Sequence, residues 1–282
     1  MAFSSLIRIF APCMKYILDL KVRSVEAISP KHVLIKLTDT KPLPDMLPGQ
    51  FVEVRVDGSP STFLRRPISI NFVDREANEL WILVAMIGDG TRQLGRLKPG
   101  DVLNCVLPLG NTFTLPSPSL IPSPSMLLVG GGVGMAPMLY LGAELQKRGC
   151  TPTFLLGGRT KTDLLELDLF NKYGRVCVTT EDGSMGEQGF VTNHSVLQRE
   201  HFDHIYTCGP KPMMMAVARY ALQAGIECEA SLENMMACGL GACLCCVEKV
   251  RTDSGLDHPQ TSNVCVCKEG PVFNVKRLLW QI

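Results

Sequence analysis

Between residues 15 and 113 the apolar positions fall in short β-rich runs, at 33–37, 51–56, 80–84 and 102–106, with polar turn residues between them. Pro48-Gly49 precedes the second run, Gly88-Asp89-Gly90 follows the third, and Lys98-Pro99-Gly100-Asp101 introduces the fourth, the rhythm of an antiparallel barrel. At 115–125 Pro116, Pro118, Pro122 and Pro124 alternate with serines. Proline lacks an amide donor and fixes φ, so this stretch is expected to continue neither sheet nor helix and reads as a linker or boundary loop. Beyond it, strand-like runs at 126–129, 153–156 and 205–208 alternate with helical stretches at 138–147 and 213–224. That is the βαβ texture of a parallel sheet covered by helices. The expected organisation is a start or extension at 1–14, an all-β domain at 15–118, an α/β domain at 119–231 and a small cysteine-rich domain at 232–282.

Composition narrows the class. At 282 residues, with 46% apolar and 20% charged residues, the chain has material for more than one core and is not a disordered type. The formal charge of +1 comes without any basic run interleaved with aromatics, so no nucleic-acid footprint is present. Leu6, Ile7, Ile9 and Phe10 form an apolar patch near the start, but Arg8 and Pro12 break it well short of the roughly 20 residues of a membrane span. Met14 is a second candidate start, with the first thirteen residues an extension or loose tail. Twelve cysteines in a chain of this length, without an export signal, point to a reducing compartment rather than a disulfide scaffold.

Six of those cysteines lie in the last fifty residues. Cys238, Cys243 and Cys246 form CxxxxCxxC, the spacing that wraps plant-type 2Fe-2S clusters, and a fourth thiolate is needed further on. Gly239, Gly241 and Ala242 fill the loop, where small residues let backbone N–H groups approach the sulfides. Cys265 and Cys267 are both candidates for the fourth ligand; in an extended Val264-Cys265-Val266-Cys267 run they would face the same side. A structural zinc site is the plainer alternative, but its ligands usually come as two closely spaced pairs. Cys13, Cys105, Cys150, Cys177 and Cys228 stand singly in apolar surroundings and read as inert buried thiols.

The strand at 126–129 runs into Gly130-Gly131-Gly132-Val133-Gly134-Met135-Ala136-Pro137 and then a helix. A strand, a glycine turn and a helix N-terminus together make a phosphate site, although glycines also serve tight turns that bind nothing. The register reads GxGxxP and not the common dinucleotide fingerprint GxGxxG.

GxGxxP after one strand and Cys208-Gly209-Pro210 after a later one resemble the nicotinamide-binding domain of the ferredoxin reductase superfamily. Arg66-Pro67-Ile68-Ser69 is similar to its flavin motif, in which the arginine meets the FAD pyrophosphate and the serine approaches the ring. The resemblance assigns further cofactor contacts to Leu83, Val84, Ala85, Gly90 and Thr91. Within that superfamily the chain resembles, from Lys15 to its end, the electron-transfer subunit of class 1B dihydroorotate dehydrogenase. The marks are Leu64-Arg65-Arg66-Pro67-Ile68-Ser69-Ile70, Glu181-Asp182-Gly183-Ser184, Glu233-Asn234-Met235-Met236-Ala237-Cys238-Gly239 and Cys267-Lys268-Glu269-Gly270-Pro271-Val272-Phe273. In that family the fourth cluster cysteine precedes a Gly-Pro-Val-Phe tail, which selects Cys267. Departures are the N-terminal thirteen residues, the Pro-Ser stretch and the additional Cys245.

The resemblance implies a flavin-binding antiparallel barrel, a parallel-sheet nicotinamide domain and a C-terminal 2Fe-2S domain, with FAD, the cluster and NAD as cofactors. Arg159, a lone arginine, would be the mark of a 2′-phosphate and NADP; the resemblance favours NAD. It further implies a cytoplasmic heterotetramer of two such chains with two FMN-containing catalytic subunits, in pyrimidine biosynthesis. Dihydroorotate would be oxidised on that partner, since this chain shows no acid-base pair for the step. An alternative with the same three-part plan is the small subunit of a bifurcating NADPH:ferredoxin oxidoreductase or sulfide dehydrogenase. The non-enzyme rival is a zinc-stabilised nucleotide-sensing module, which leaves the flavin motif unexplained.

Overall fold

The computed structural model describes residues 6–7, 14–117, 123–252 and 260–280. Apart from Leu6–Ile7 (β1) and Met14, the N-terminal extension lies outside them. The first large unit is a closed antiparallel barrel of Tyr16–Ser29 (β2), His32–Thr38 (β3), Phe51–Val54 (β4), Arg66–Asp74 (β5), Glu79–Ala85 (β6) and Val102–Leu109 (β7), in the order β2-β3-β6-β5-β4-β7. Alternate residues such as Leu20, Val22, Ile35, Val52, Ile70, Ile82 and Leu103 fill its interior. β2 escapes a search for apolar runs because Asp19, Lys21 and Arg23 alternate with Leu20 and Val22, the signature of a strand wet on one face. A short helix, Asp89–Leu94 (α1), follows β6.

Leu115–Pro116 (β8) pairs antiparallel with β1. The head of the proline stretch therefore does continue a sheet, contrary to expectation; in a two-stranded ribbon the missing proline N–H can face an open edge. Residues 118–122 of the linker lie outside the described ones.

The second unit is a seven-stranded sheet in the order β12-β11-β10-β9-β13-β14-β17. Its strands are Met126–Gly131 (β9), Thr153–Gly158 (β10), Arg175–Thr180 (β11), Glu187–Gln188 (β12), His204–Cys208 (β13), Glu227–Ser231 (β14) and, beyond the cysteine loop, Val272–Asn274 (β17). All neighbours are parallel except β14 and β17. Helices Ala136–Lys147 (α2), Leu167–Tyr173 (α3), Val196–Arg199 (α4) and Lys211–Ala224 (α5) connect the strands. A hairpin of Val247–Thr252 (β15) and Gln260–Cys265 (β16) follows the cysteine loop, then the one-turn helix Val266–Glu269 (α6). The cysteine-rich tail is thus tied into the nucleotide sheet by β17.

The two large units share an apolar seam. Phe72 on β5 lies with its ring centroid 5.1 to 5.8 Å from those of Trp81, Tyr173 and Tyr140, and the Tyr140 hydroxyl donates to the Met46 carbonyl at 2.8 Å.

Candidate functional site

Strand order reverses between β9 and β13, and in a doubly wound sheet that is where ligands enter, beyond the carboxyl ends of the strands. Cys208 pairs with Gly130 there, so the two glycine motifs face each other across the switch point. A cavity of about 800 Å³ opens above them, lined by Gly131, Gly132, Arg159, Thr160, Glu181 and Pro210 among others. Gly132 has φ +54° and open space around its Cβ position, so its backbone is bare toward the cavity. Gly134 has a different task. A Cβ on it would lie 2.4 Å from the Gly209 Cα, and one on Gly209 would lie 2.7 Å from the Gly131 carbonyl oxygen. These two glycines let the motifs touch. Gly130 likewise abuts Met135, and Pro137 is buried in the first turn of α2, away from the cavity.

A second cavity, of about 230 Å³, lies on the barrel side of the same turn. β5 presents Pro67, Ile68 and Ser69 to it, β6 presents Leu83 and Ala85, and α1 presents Thr91. Val84 points the other way, into the barrel core, as strand alternation requires; its side chain is therefore not a cofactor contact. A Cβ on Gly90 would meet Thr62 at 2.9 Å and Arg66 Nε at 3.1 Å, so the α1 start is folded tightly against the flavin-motif arginine. The paired arginines are not equivalent. Arg65 is spent on structure, donating to the Glu53 and Asn104 carbonyls and to Asn104 Oδ1, whereas Arg66, among the described residues, donates only to the nearby Leu64 and Arg65 carbonyls.

The other wall of this cavity comes from residues that sequence reasoning did not assign: Val133 and Ala136 of the glycine turn, and Ser231, Glu233, Asn234 and Met236 after β14. Glu233 lines the cavity while keeping part of its surface in solvent, and Cys208 Sγ lies 3.7 Å from its Oε1. Burial pushes the Glu233 carboxyl up, with the Cys208 hydrogen bond opposing. The sequence signal for Glu233 is its place at the head of the 233–239 mark of the family resemblance, between β14 and the cysteines. Glu53 on β4 was missed too: its carboxyl is buried without a hydrogen-bond partner, and burial pushes it up to about 7.

Cys238 follows Met236 by two residues, a reach of at most about 7 Å. The thiols beyond it form two pairs, Cys238 with Cys243 and Cys246 with Cys267. Among the described residues no three His, Cys, Asp or Glu side chains gather as around one metal ion. Two pairs suit a dinuclear cluster with two thiolates on each iron. The backbone is laid out for anionic sulfur: Leu240 N–H points to Cys238 Sγ at 3.4 Å, Gly241 N–H to Cys267 Sγ at 3.1 Å, and Cys267 N–H to Cys246 Sγ at 3.4 Å. The Leu240 amide and further loop amides draw the Cys238 thiol down to about 6, whereas burial holds the Cys267 thiol up at about 12. Gly239 and Gly241 have φ of +64° and +80°, and Leu244 also takes the left-handed region. Donor set and loop fit a 2Fe-2S cluster.

The run 264–267 is not extended as expected. β16 ends at Cys265 and α6 starts at Val266, so Cys267 turns inward and Cys265 remains at the edge with its Sγ 3.8 Å from the Gly241 carbonyl. Cys245 is exposed beside Met235.

Comparison with known proteins agrees with this layout. Residues 233–279 match the family described as the iron-sulfur cluster binding domain of dihydroorotate dehydrogenase B, and residues 128–219 the oxidoreductase NAD-binding domain. The dihydroorotate dehydrogenase B (NAD(+)) electron transfer subunit of Caldanaerobacter subterraneus subsp. tengcongensis is 40% identical over 83% of this chain and 87% of its own length. That of Desulforamulus reducens is 36% identical over 95% of this chain and 100% of its own. A solved NADH-dependent reduced ferredoxin-NADP oxidoreductase, described in terms of flavin-based electron bifurcation, superposes with a TM-score of 0.77 at 28% identity, covering 93% of this chain and 90% of that one.

Proposed function

Because the chain belongs to the family of dihydroorotate dehydrogenase B (NAD(+)) electron-transfer subunits, we propose that its two cavities and its cysteine loop hold NAD, FAD and the cluster in that order, and that the loop faces the catalytic partner. The observation that carries the reading is continuity. Gly131 and Gly132 line the nucleotide cavity, Val133 and Ala136 of the same turn line the flavin cavity, and the segment bearing Glu233 and Met236 leaves that cavity for Cys238. A flavin held there would supply hydride exchange toward the nicotinamide and single-electron exchange toward the cluster, which neither neighbour can do for the other. The chain's own residues bind and orient. Arg66 answers the pyrophosphate, Ser69 the ring, Gly131 and Gly132 the dinucleotide phosphates, and Cys238, Cys243, Cys246 and Cys267 the two irons.

Around the cysteine loop Met235, Leu240 and Leu244 are solvent-exposed, which supports docking of the catalytic subunit at this face. We take that partner to carry FMN and the dihydroorotate site, in an assembly of two chains of each kind. The eleven described cysteines are free thiols, which supports a cytoplasmic setting; no described helix is long and apolar enough to cross a membrane.

The test uses the anaerobically purified chain with FAD and cluster in place. It should oxidise NADH with an artificial acceptor, and should oxidise dihydroorotate only after the catalytic subunit is added. Orotate formation by the chain alone would overturn the division of labour; ferredoxin reduction without that partner would favour the bifurcating alternative.

A further inference from the structure

One polar contact spans the seam between barrel and nucleotide sheet. Asn71 on β5 has no exposed surface, and its Nδ2 donates to Glu166 Oε1 at 3.0 Å. The other two polar atoms of the pair, Asn71 Oδ1 and Glu166 Oε2, are buried and have no partner. An ionised carboxylate has acceptors only, and so has the amide oxygen, so an anionic Glu166 leaves both orphaned at the cost of their hydration. A single proton on Glu166 removes both deficits: Oε2–H donates to Oδ1 while Nδ2–H donates to Oε1, closing an acid–amide ring. Rotating the Asn71 amide by half a turn exchanges its O and N but leaves the same requirement for one proton.

We infer that Glu166 is held protonated in the folded protein, and that the neutral Glu166–Asn71 pair is a latch that positions the nucleotide unit on the flavin strand. The placement of the two residues gives the latch its purpose. Asn71 is two positions beyond Ser69 on the strand that lines the flavin cavity, and Glu166 precedes α3, in the connection from β10, whose end lines the nucleotide cavity. Glu166 also holds a left-handed backbone, φ 55° and ψ 28°, which a side chain adopts rarely unless its contacts fix it. The charged groups acting on it from the barrel are Lys36 on β3 and Glu26 on β2, of opposite effect. Lys36 is already paired with Glu26 at 3.1 Å and lies over the Trp81 ring at 4.3 Å, so it acts on Glu166 from a distance without forming an ion pair with it. Burial is the dominant influence on the carboxyl and raises it from 4.5 to about 7, with the Asn71 hydrogen bond opposing.

The sign of the pH dependence follows. A carboxyl raised on folding binds a proton in the folded state that the unfolded state has lost, so its stabilisation is complete below about 4.5 and disappears as pH rises through about 7. Glu166→Gln keeps the shape and both hydrogen bonds of the acid form and cannot ionise. The experiment is thermal unfolding of the FAD-loaded full chain, wild type against Glu166→Gln, from about pH 5 to about pH 8. The two should melt together at the acid end, with the variant increasingly the more stable toward the alkaline end. A difference that does not change with pH, or a variant destabilised most at alkaline pH, would overturn the proposal. If Glu166→Gln does not accumulate, infrared spectra of the wild type and Asn71→Leu at about pH 6 decide: a carboxylic-acid carbonyl band that shifts in Asn71→Leu supports the latch, and acid bands unaltered by that substitution refute it. Unfolding and infrared readouts do not depend on the identity of the catalytic partner.

Discussion

At the scale of single residues, the cysteine loop shows how neighbours of the same type part company. Cys265 and Cys267 are two apart, yet one ends a strand and the other lies in the first turn of a helix. Cys267 is buried beside Cys246 and accepts the Gly241 N–H, while Cys265 reaches only that residue's carbonyl. An iron-sulfur cluster of this type needs four thiolates, so Cys267→Ser should lose or distort the cluster's visible and paramagnetic signals. Flavin binding and NADH-to-flavin reduction should survive, because those cavities draw on other residues. Cys265→Ser should keep both signals, a hydroxyl standing in for the S–H donor. Iron content retained in Cys267→Ser and lost in Cys265→Ser would exchange their roles. Arg65 and Arg66 part in the same way: identical chemistry, one spent within the barrel and one folded against Gly90 at the start of α1.

At the scale of elements, the glycine turn combines two jobs that a motif cannot separate. Gly134 allows the turn to touch the Cys208-Gly209-Pro210 turn, and Gly132 leaves an open backbone toward the nucleotide cavity. Gly134→Ala would place a methyl 2.4 Å from backbone that cannot move aside as a side chain can, and a loss of several kcal/mol is expected, on the order of the larger overpacking costs. Gly132→Ala meets no atom but must hold φ +54°, a strain of about 1 to 2 kcal/mol. Chemical denaturation should therefore show Gly134→Ala as the strongly destabilised variant. NADH titration should show Gly132→Ala weakened in binding beyond what its modest stability loss explains. Equal stability losses in the two would mean that Gly132 is also a packing glycine.

At the scale of the whole molecule, the seam and the returning tail join three units that the sequence presents one after another. β17 pairs with β14, and Asn111 at the barrel's edge donates to the Glu269 and Val272 carbonyls of the tail. Inside this joined structure His204 stacks on Tyr206 with ring centroids 4.4 Å apart, and burial depresses its ring to about 4 although Nε2 lies 3.9 Å from Glu229 Oε2. A histidine depressed on folding supplies stability that is present above its unfolded value of 6.5 and is lost as pH falls toward 4. The loss should be on the order of 3 kcal/mol by pH 4. His204→Phe should flatten the acid limb of a plot of melting temperature against pH. An acid limb as steep as in the wild type would place the acid sensitivity elsewhere.

Much of the plan follows from local sequence, because strands, turns and ligand spacings are local properties. Barrel runs, βαβ texture, the flavin motif, the glycine turn and CxxxxCxxC are each set within a few residues, and the resemblance built on them identifies the family. Two barrel strands were less legible: β2 and β5 have polar residues between their apolar ones, and the period-2 pattern is diluted wherever one face meets water or a cavity. Other features depend on residues far apart in the chain. The orphaned Asn71 and Glu166 atoms, the contact of Gly134 with Gly209, and the wall that Glu233 and Met236 add to the flavin cavity arise only when the two large units close on each other. The helix that turns Cys267 inward is settled by its burial against Cys246 and Phe273, since the apolar alternation of 264–267 suits a strand equally well. Local sequence determines which chemistry each segment carries; the packing of distant segments decides which atoms share a cavity and which are left to hold a proton.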